Sequence, residues 1–388
     1  MVTTRRFVGY LIYIMASAII ISSAFAGGFL ASEYLNQENN QHQILNQAVS
    51  ILKNHALDDL PDEPALEYGM IRGMLNAFGD PHTTFIEPVQ HELETNRLTG
   101  NFGGIGVQLG YSDEGFVILF PYPDSPAELA GIQNGDRLLM VEGIKIENLH
   151  PLDQVKAAIR GKEGTPVNLL IDREEAPNAI ELNIKRASIP LPSVAWHLHP
   201  DDSRLGIIEI NIISANTPDE VAQAVEDLTN QGATHLIIDL RGNSGGLLSA
   251  GVDTARLFLP KGLILKEQTR DQNEKIYNTE RDGPFIDIPL AILVDHGTAS
   301  ASEIVAGSLK ASGRAIIIGE PSYGKDTIQL VFNLNDGSSL HVTSARWWIP
   351  GLDPPIKEIG IQPDIIVDDG NTGPDQAISL GKQALLGE

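Results

Sequence analysis

The hydrophobic positions of this chain change period from segment to segment, and each change marks a different kind of structure. Residues 7–31 form a mostly apolar run with no charged residue, preceded by Arg5 and Arg6. Roughly 20 such residues cross a bilayer and a positive flank stays on the cytoplasmic side, so the run reads as a single-pass membrane anchor with the remainder extracytoplasmic. Ala24-Phe25-Ala26 before Gly27 also fits the cleavage site of a signal peptide; the apolar residues continue through Phe29 and Leu30, which favours the uncleaved anchor. Residues 33–54 are polar and rich in Gln and Asn, with Ile44, Leu45, Val49, Ile51 and Leu52 interspersed. That pattern predicts a helix leaving the membrane and a homodimer contact. Residues 65–78 carry apolar positions at helical spacing and stop at Gly79-Asp80-Pro81.

From Gly103 the elements shorten. Strands are predicted over 116–120 and 167–171, a turn and strand over 134–144, and short helices over 124–132 and 152–159. Beyond Pro190 and Pro192 the pattern lengthens into alternating strands and helices: strand 205–210, helix 217–228, then a largely apolar strand 235–240 that leads into D-L-R-G-N-S-G-G-L-L. Such alternation implies a sheet with helical crossovers around one buried core. A buried strand over 290–294, a helix over 302–312 and a second apolar strand over 315–318 continue it. Asn335-Asp336-Gly337 then joins strands 331–334 and 340–343 as a hairpin turn.

With 388 residues, the chain is long enough for two or three domains with buried cores. Its 27 Lys and Arg against 51 Asp and Glu give a net charge of −24, which repels phosphate backbones, so no nucleic-acid partner is expected. Cysteine is absent, which excludes disulfides and thiolate chemistry, and the 10 histidines show no ligand spacing, so neither metal nor cofactor is expected.

The chemistry concentrates between residues 295 and 329. Ser300 stands where a helix begins, and the unpaired N–H groups and positive dipole end there suit an oxyanion. Its hydroxyl needs a base. His296 is near in sequence but belongs to the turn before the helix. Lys325, at the end of a Gly-Glu-Pro-Ser-Tyr-Gly turn after the next strand, returns to Ser300 if that strand lies beside the first. As base it must be neutral, so its pKa must fall below the usual value near 10.4. Gln329, four residues on, is placed to accept a hydrogen bond from it. Each residue taken singly reads as an N-cap serine, a solvated lysine and a surface amide; the arrangement is what points to catalysis. Gly245 and Gly246 let a backbone N–H approach a bound carbonyl, and Ala301 offers the second. Asp239 and Arg241 read as structural partners.

The run T-A-S-A-S-E-I-V-A-G-S-L and the G-K-x-x-x-Q motif, whose lysine follows Ser300 by 25 residues, resemble the carboxyl-terminal processing peptidases, or tail-specific proteases. Y-G-M-I-R-G-M-L-N-A-F-G-D-P-H-T-T-F and the closing A-R-W-W-I-P-G-L-D-P-P-I-K-E-I-G-I-Q-P-D-I extend the likeness over most of residues 68–369. The resemblance implies a Ser300–Lys325 dyad steadied by Gln329, with the N–H groups of Gly246 and Ala301 as oxyanion donors. His82, in the Asp-Pro-His turn, reads as structural. The element order of residues 103–187 resembles a PDZ domain, in which the loop carrying Gly104, Ile105, Gly106 and Val107 would receive a peptide's terminal carboxylate while the peptide adds as an edge strand.

The implied architecture is a multi-domain α/β (α+β) chain: an anchor or signal segment over 1–35, a helical region over 36–99, a PDZ domain over 100–187, and a βα spiral protease core of the ClpP/crotonase type over 188–388. The implied function is a serine endopeptidase that binds protein C-terminal tails and cleaves nearby. Two departures stand out: Asp326 where the family has glycine, and Ser244 where it has proline. A carboxylate beside Lys325 favours its charged form unless it points to solvent, so the competing reading is a PDZ peptide-binding scaffold with an impaired dyad. An acyl-CoA-type enzyme on a related spiral fold is a further rival, disfavoured by the PDZ-like insert and the Ser–Lys spacing.

Overall fold

The computed structural model describes residues 42–357, 359–367 and 376–387, together with residues 22, 23 and 25. The apolar run 7–31, read as an anchor, lies essentially outside them. Among the described residues no helix is long and apolar enough to cross a membrane. The chain divides into two compact units, residues 1–77 and 78–388. In the first, α1 (Gln43–His55) and α2 (Glu63–Phe78) form as the apolar spacing predicts, yet neither buries a residue.

The second unit is built on three main sheets. The largest core surrounds a six-stranded sheet in the order β10 (Val194–His199), β11 (Asp202–Ile210), β12 (His235–Asp239), β15 (Leu290–Val294), β16 (Ile316–Gly319), β19 (Ile365–Ile366). Only β10 runs antiparallel, and the rest pair in parallel. Parallel strands need crossovers, and the helices supply them: α6 (Thr217–Asn230), α7 (Leu248–Arg256) and α8 (Ala301–Ala311). Because side chains alternate along a strand, Leu236 and Ile238 pack with these three helices, while Ile237 turns to the opposite face and meets α9 (Gln376–Leu386). Both faces are therefore covered, and every residue of β15 is buried.

A second sheet, β3 (Val107–Tyr111), β4 (Val117–Pro121), β5 (Asp136–Val141), β7 (Pro166–Asp172) and β8 (Ile180–Lys185), with β6 (Ile144–Lys145) beside β5, is antiparallel and has its own core. It carries α4 (Pro126–Leu129) and α5 (Leu152–Ile159). The ribbon of β2 (Asn101–Gly104) and β9 (Ala187–Pro190) leads into it and out again, so this subdomain is an insertion.

The third sheet joins β1 (Thr84–Ile86), β18 (Ser339–Trp348), β13 (Gly262–Thr269) and β14 (Glu274–Thr279), with β17 (Thr327–Asn333) on β18. The β17–β18 hairpin turns at Asn335-Asp336-Gly337 as the sequence indicates, although both strands run further back toward residue 327 and on to 348. Between β1 and β2 lies α3 (Pro88–Thr99), closed by Gly100 at φ 72°.

Candidate active site

Three loops leave the C-terminal ends of β12, β15 and β16 and meet, the usual place for a site on a parallel sheet. Their contacts follow from a few buried polar side chains. Asp295 accepts the N–H groups of Gly242 at 2.8 Å and Gly297 at 2.9 Å. Thr298, fully buried, donates its hydroxyl to the Leu240 carbonyl at 2.8 Å, and its own carbonyl accepts the Tyr323 N–H at 2.9 Å. Asn243, also fully buried, accepts the Ala299 N–H on its carbonyl at 3.0 Å. All three loops are thus pinned to one another.

Ser300 occupies the N-cap of α8 with φ 54° and ψ −118°. A non-glycine residue in that region costs about 1–3 kcal/mol and persists only where its surroundings enforce it. Here Glu303 enforces it. Its Oε2 accepts the Ser300 N–H at 2.7 Å and the Lys325 N–H at 3.0 Å, and its Oε1 accepts the Ser322 hydroxyl at 2.6 Å and the Gly324 N–H at 2.7 Å. One fully buried carboxylate therefore fixes the backbones of both the serine and the lysine. Burial pushes this carboxyl up, while the four hydrogen bonds pull against it. Sequence reading passes over Glu303, yet the Ser-x-x-Glu spacing from Ser300 is a helix-start signature that points to it.

The Lys325 Nζ donates to Gln329 Oε1 at 2.8 Å, and the Gln329 amide donates to the His82 carbonyl. Burial depresses the Lys325 pKa below its ordinary value, against the pull of Glu303, Glu94 and Asp80. Ser300, Lys325 and Gln329 line one cleft of about 750 Å³, with Gly246 on its wall. Leu247, Leu248, Ile304, Ile328 and Trp347 give that cleft an apolar side. Gly245 donates its N–H to Asn243 Oδ1 at 3.0 Å. The N–H groups of Gly246 and Ala301 have no acceptor among the described residues.

The remaining sequence candidates fall elsewhere. His296 stands 3.3 Å from Glu320 with its side chain 73% exposed, and it is not part of the cleft lining. Arg241 Nε donates to Asp239 Oδ1 at 2.9 Å, a structural pair. Asp326 turns its carboxylate to Arg346 Nη1 at 3.2 Å while its carbonyl accepts the Trp347 N–H at 2.9 Å. Ser244 also lines the cleft. In the inserted subdomain, Gly104 is buried and paired with Ala187, Ile105 is core at 1% exposure, Gly106 turns at φ 70°, and Val107 opens β3. That strand ends its sheet and lies next to α5. These four residues are not among those lining the cleft, whereas Arg160 of the same subdomain is.

Comparison with known proteins gives the family. Residues 204–367 match the model of peptidase family S41, and residues 117–173 match that of a PDZ domain. The carboxyl-terminal-processing protease of Picosynechococcus is 36% identical over 303 residues, 77% of this chain and 72% of that protein. The carboxy-terminal processing protease CtpA of Bacillus subtilis is 31% identical over 353 residues, covering 89% and 74%. Among solved structures, a photosystem II D1 C-terminal processing protease is 32% identical, aligned over 85% of this chain and 88% of its own, with a TM-score of 0.46. With such identity carried over most of both sequences, the chain belongs to peptidase family S41, among the carboxyl-terminal processing proteases.

Proposed function

We propose that this chain is a serine endopeptidase in which Ser300 is the nucleophile and Lys325 the general base. The observation that carries the reading is the half-buried Lys325 side chain, depressed in pKa and held by Gln329, in the cleft that also holds Ser300. The Gln329 carbonyl oxygen takes one Lys325 N–H, which leaves the lone pair of the neutral amine for the serine hydroxyl. Ser300 Oγ attacks the scissile carbonyl and its proton passes to Lys325 Nζ. The protonated lysine then gives that proton to the departing amine as the C–N bond breaks. Water, deprotonated by the same lysine, hydrolyses the acyl-enzyme and releases Ser300. The free N–H groups of Gly246 and Ala301 would hold the oxyanion, with about 3 to 4 kcal/mol lost when one such donor is removed.

The PDZ subdomain would capture C-terminal tails along β3, with Gly104, Ile105, Gly106 and Val107 at the carboxylate end. The unpaired edge of β3 beside α5 supports that use. The sequence of residues 5–31 supports a catalytic unit outside the cytoplasm. Pairing of Asp326 with Arg346 weighs against the impaired-dyad reading, since the carboxylate already has a cation of its own.

The test is mass spectrometry of an unfolded protein with an apolar tail, incubated with the wild type, Ser300→Ala and Lys325→Ala. Cleavage by the wild type that disappears in both variants is the expected result. Cleavage that survives in Lys325→Ala overturns the role of the base.

A further inference from the structure

The three carboxylates that act on Lys325 are Glu303 on α8, Glu94 on α3 and Asp80 before β1. They are not equally committed. Both oxygens of Glu303 are occupied by the four donors that build the loop, and Asp80 is engaged by the Thr83 hydroxyl at 2.6 Å and the His82 N–H at 3.1 Å. Glu94 is different: it lines the cleft itself, and its Oε1 lies 3.9 Å from His341 Nδ1, an imidazole that burial favours in its neutral form.

The helix that carries Glu94 is clamped to the hairpin that follows Lys325. His91 lies one turn before Glu94 on the same face of α3. The Ser339 hydroxyl bridges the two rings, 2.9 Å from His91 Nδ1 and 3.1 Å from His341 Nε2. The rings meet edge to face with centroids 6.2 Å apart, and His91 Nε2 reaches Asn333 Oδ1 at 3.0 Å. Three side chains of the β17–β18 region and two of α3 thus share one network, and His341 is buried within it.

We propose that Glu94 is a positioning residue for the catalytic base: α3 holds its carboxylate in the cleft as the negative charge that sets the pH at which Lys325 becomes neutral, with the His91–Ser339–His341 clamp fixing its register. The inference rests on Lys325 being the base. An anion near an ammonium favours the charged form, so Glu94 delays the loss of the proton and places the rising limb of activity at higher pH. Glu303, Asp80 and His341 face the same group, and Asp326 is compensated by Arg346. Of the acids, Glu94 is the one whose charge is removable without dismantling the loop.

The test follows Ser300 labelling by a fluorophosphonate probe across pH in the full chain, for wild type, Glu94→Gln, the exposed neighbour variant Glu92→Gln, and Lys325→Ala. Glu94→Gln is expected to move the rising limb down by about half a pH unit, so that below the limb it labels about threefold faster than wild type, while Glu92→Gln follows the wild type. A limb that stays in place, or a uniform loss at every pH as a merely structural role would give, overturns the inference and leaves Lys325 as base if Lys325→Ala is unreactive. Wild-type labelling by Lys325→Ala removes the base and this inference together.

Discussion

At the scale of single residues, the site depends on Glu303 as much as on the pair it positions. Its four donors are all N–H or O–H groups, so the side chain must present two accepting oxygens. Glu303→Gln keeps the shape but turns one oxygen into a donor. The least costly placement sets the amide against Ser322, whose hydroxyl rotates to accept, and leaves the Gly324 N–H unpaired. One buried donor without a partner costs about 1–3 kcal/mol, or several degrees of Tm for a unit of this size. Loosening Ser300 and Lys325 together is expected to reduce cleavage by at least about tenfold. Thermal melts and cleavage rates of this variant check both effects, and wild-type rates with an unchanged Tm would remove Glu303 from its role. Ser300, Lys325 and Gln329 are readable in the sequence because they sit in two short motifs with fixed spacing. The hub function of Glu303 is not, because it exists only once residues 322–325 fold back against the start of α8.

At the scale of elements, what the sequence reveals depends on whether a local signal accompanies the tertiary one. The βαβ strands announce themselves as apolar runs, and β15 matches its expected bounds of 290–294. The β13–β14 hairpin does not, since its turn places Gln272 at φ 63° with no glycine to mark it. Helix α3 is equally silent: it buries no residue, so its apolar spacing carries no stripe, and it is fixed by Pro88 at its start, Gly100 at its end and the histidine clamp. The loop from β12 to α7 sits between these cases. Its glycine pair is visible, but the reason for the pair is packing. A Cβ at Gly246 would collide with the Ile213 carbonyl, and one at Gly245 would come within 2.9 Å of the Ser300 Cβ. Gly246→Ala should therefore break the bridge to Ile213 and displace the N–H proposed above as an oxyanion donor. The expected outcome is a fall in kcat of about a hundredfold or more, as for loss of one oxyanion donor, with KM little changed because that donor acts chiefly on the transition state. A KM effect of similar size with kcat intact would assign the loop to ground-state binding instead.

At the scale of the whole second unit, the PDZ subdomain and the protease core are one chain threaded twice through the β2–β9 ribbon, each with its own hydrophobic core. That separation predicts separable energetics. A tail held by backbone N–H groups near Gly104–Val107 owes its affinity to a terminal carboxylate, and charge-assisted hydrogen bonds are the stronger kind. Amidating the C-terminus of an otherwise identical substrate removes that charge at a point remote from the scissile bond. Loss of about 1.4 kcal/mol of binding corresponds to tenfold in affinity, so the amidated substrate is expected to show a KM raised by about tenfold at an unaltered kcat. Gly106→Ala, whose Cβ would lie 2.6 Å from the Ser125 Cβ at a backbone φ of 70°, should raise KM for the free-acid substrate and leave the amidated one as it was. Equal cleavage of both substrates by the wild type would show that the tail carboxylate is not read. A fall in kcat on amidation, with KM unchanged, would mean that the tail contributes to assembling the catalytic cleft rather than to capture, because only an interaction realised in the transition state lowers kcat when it is lost.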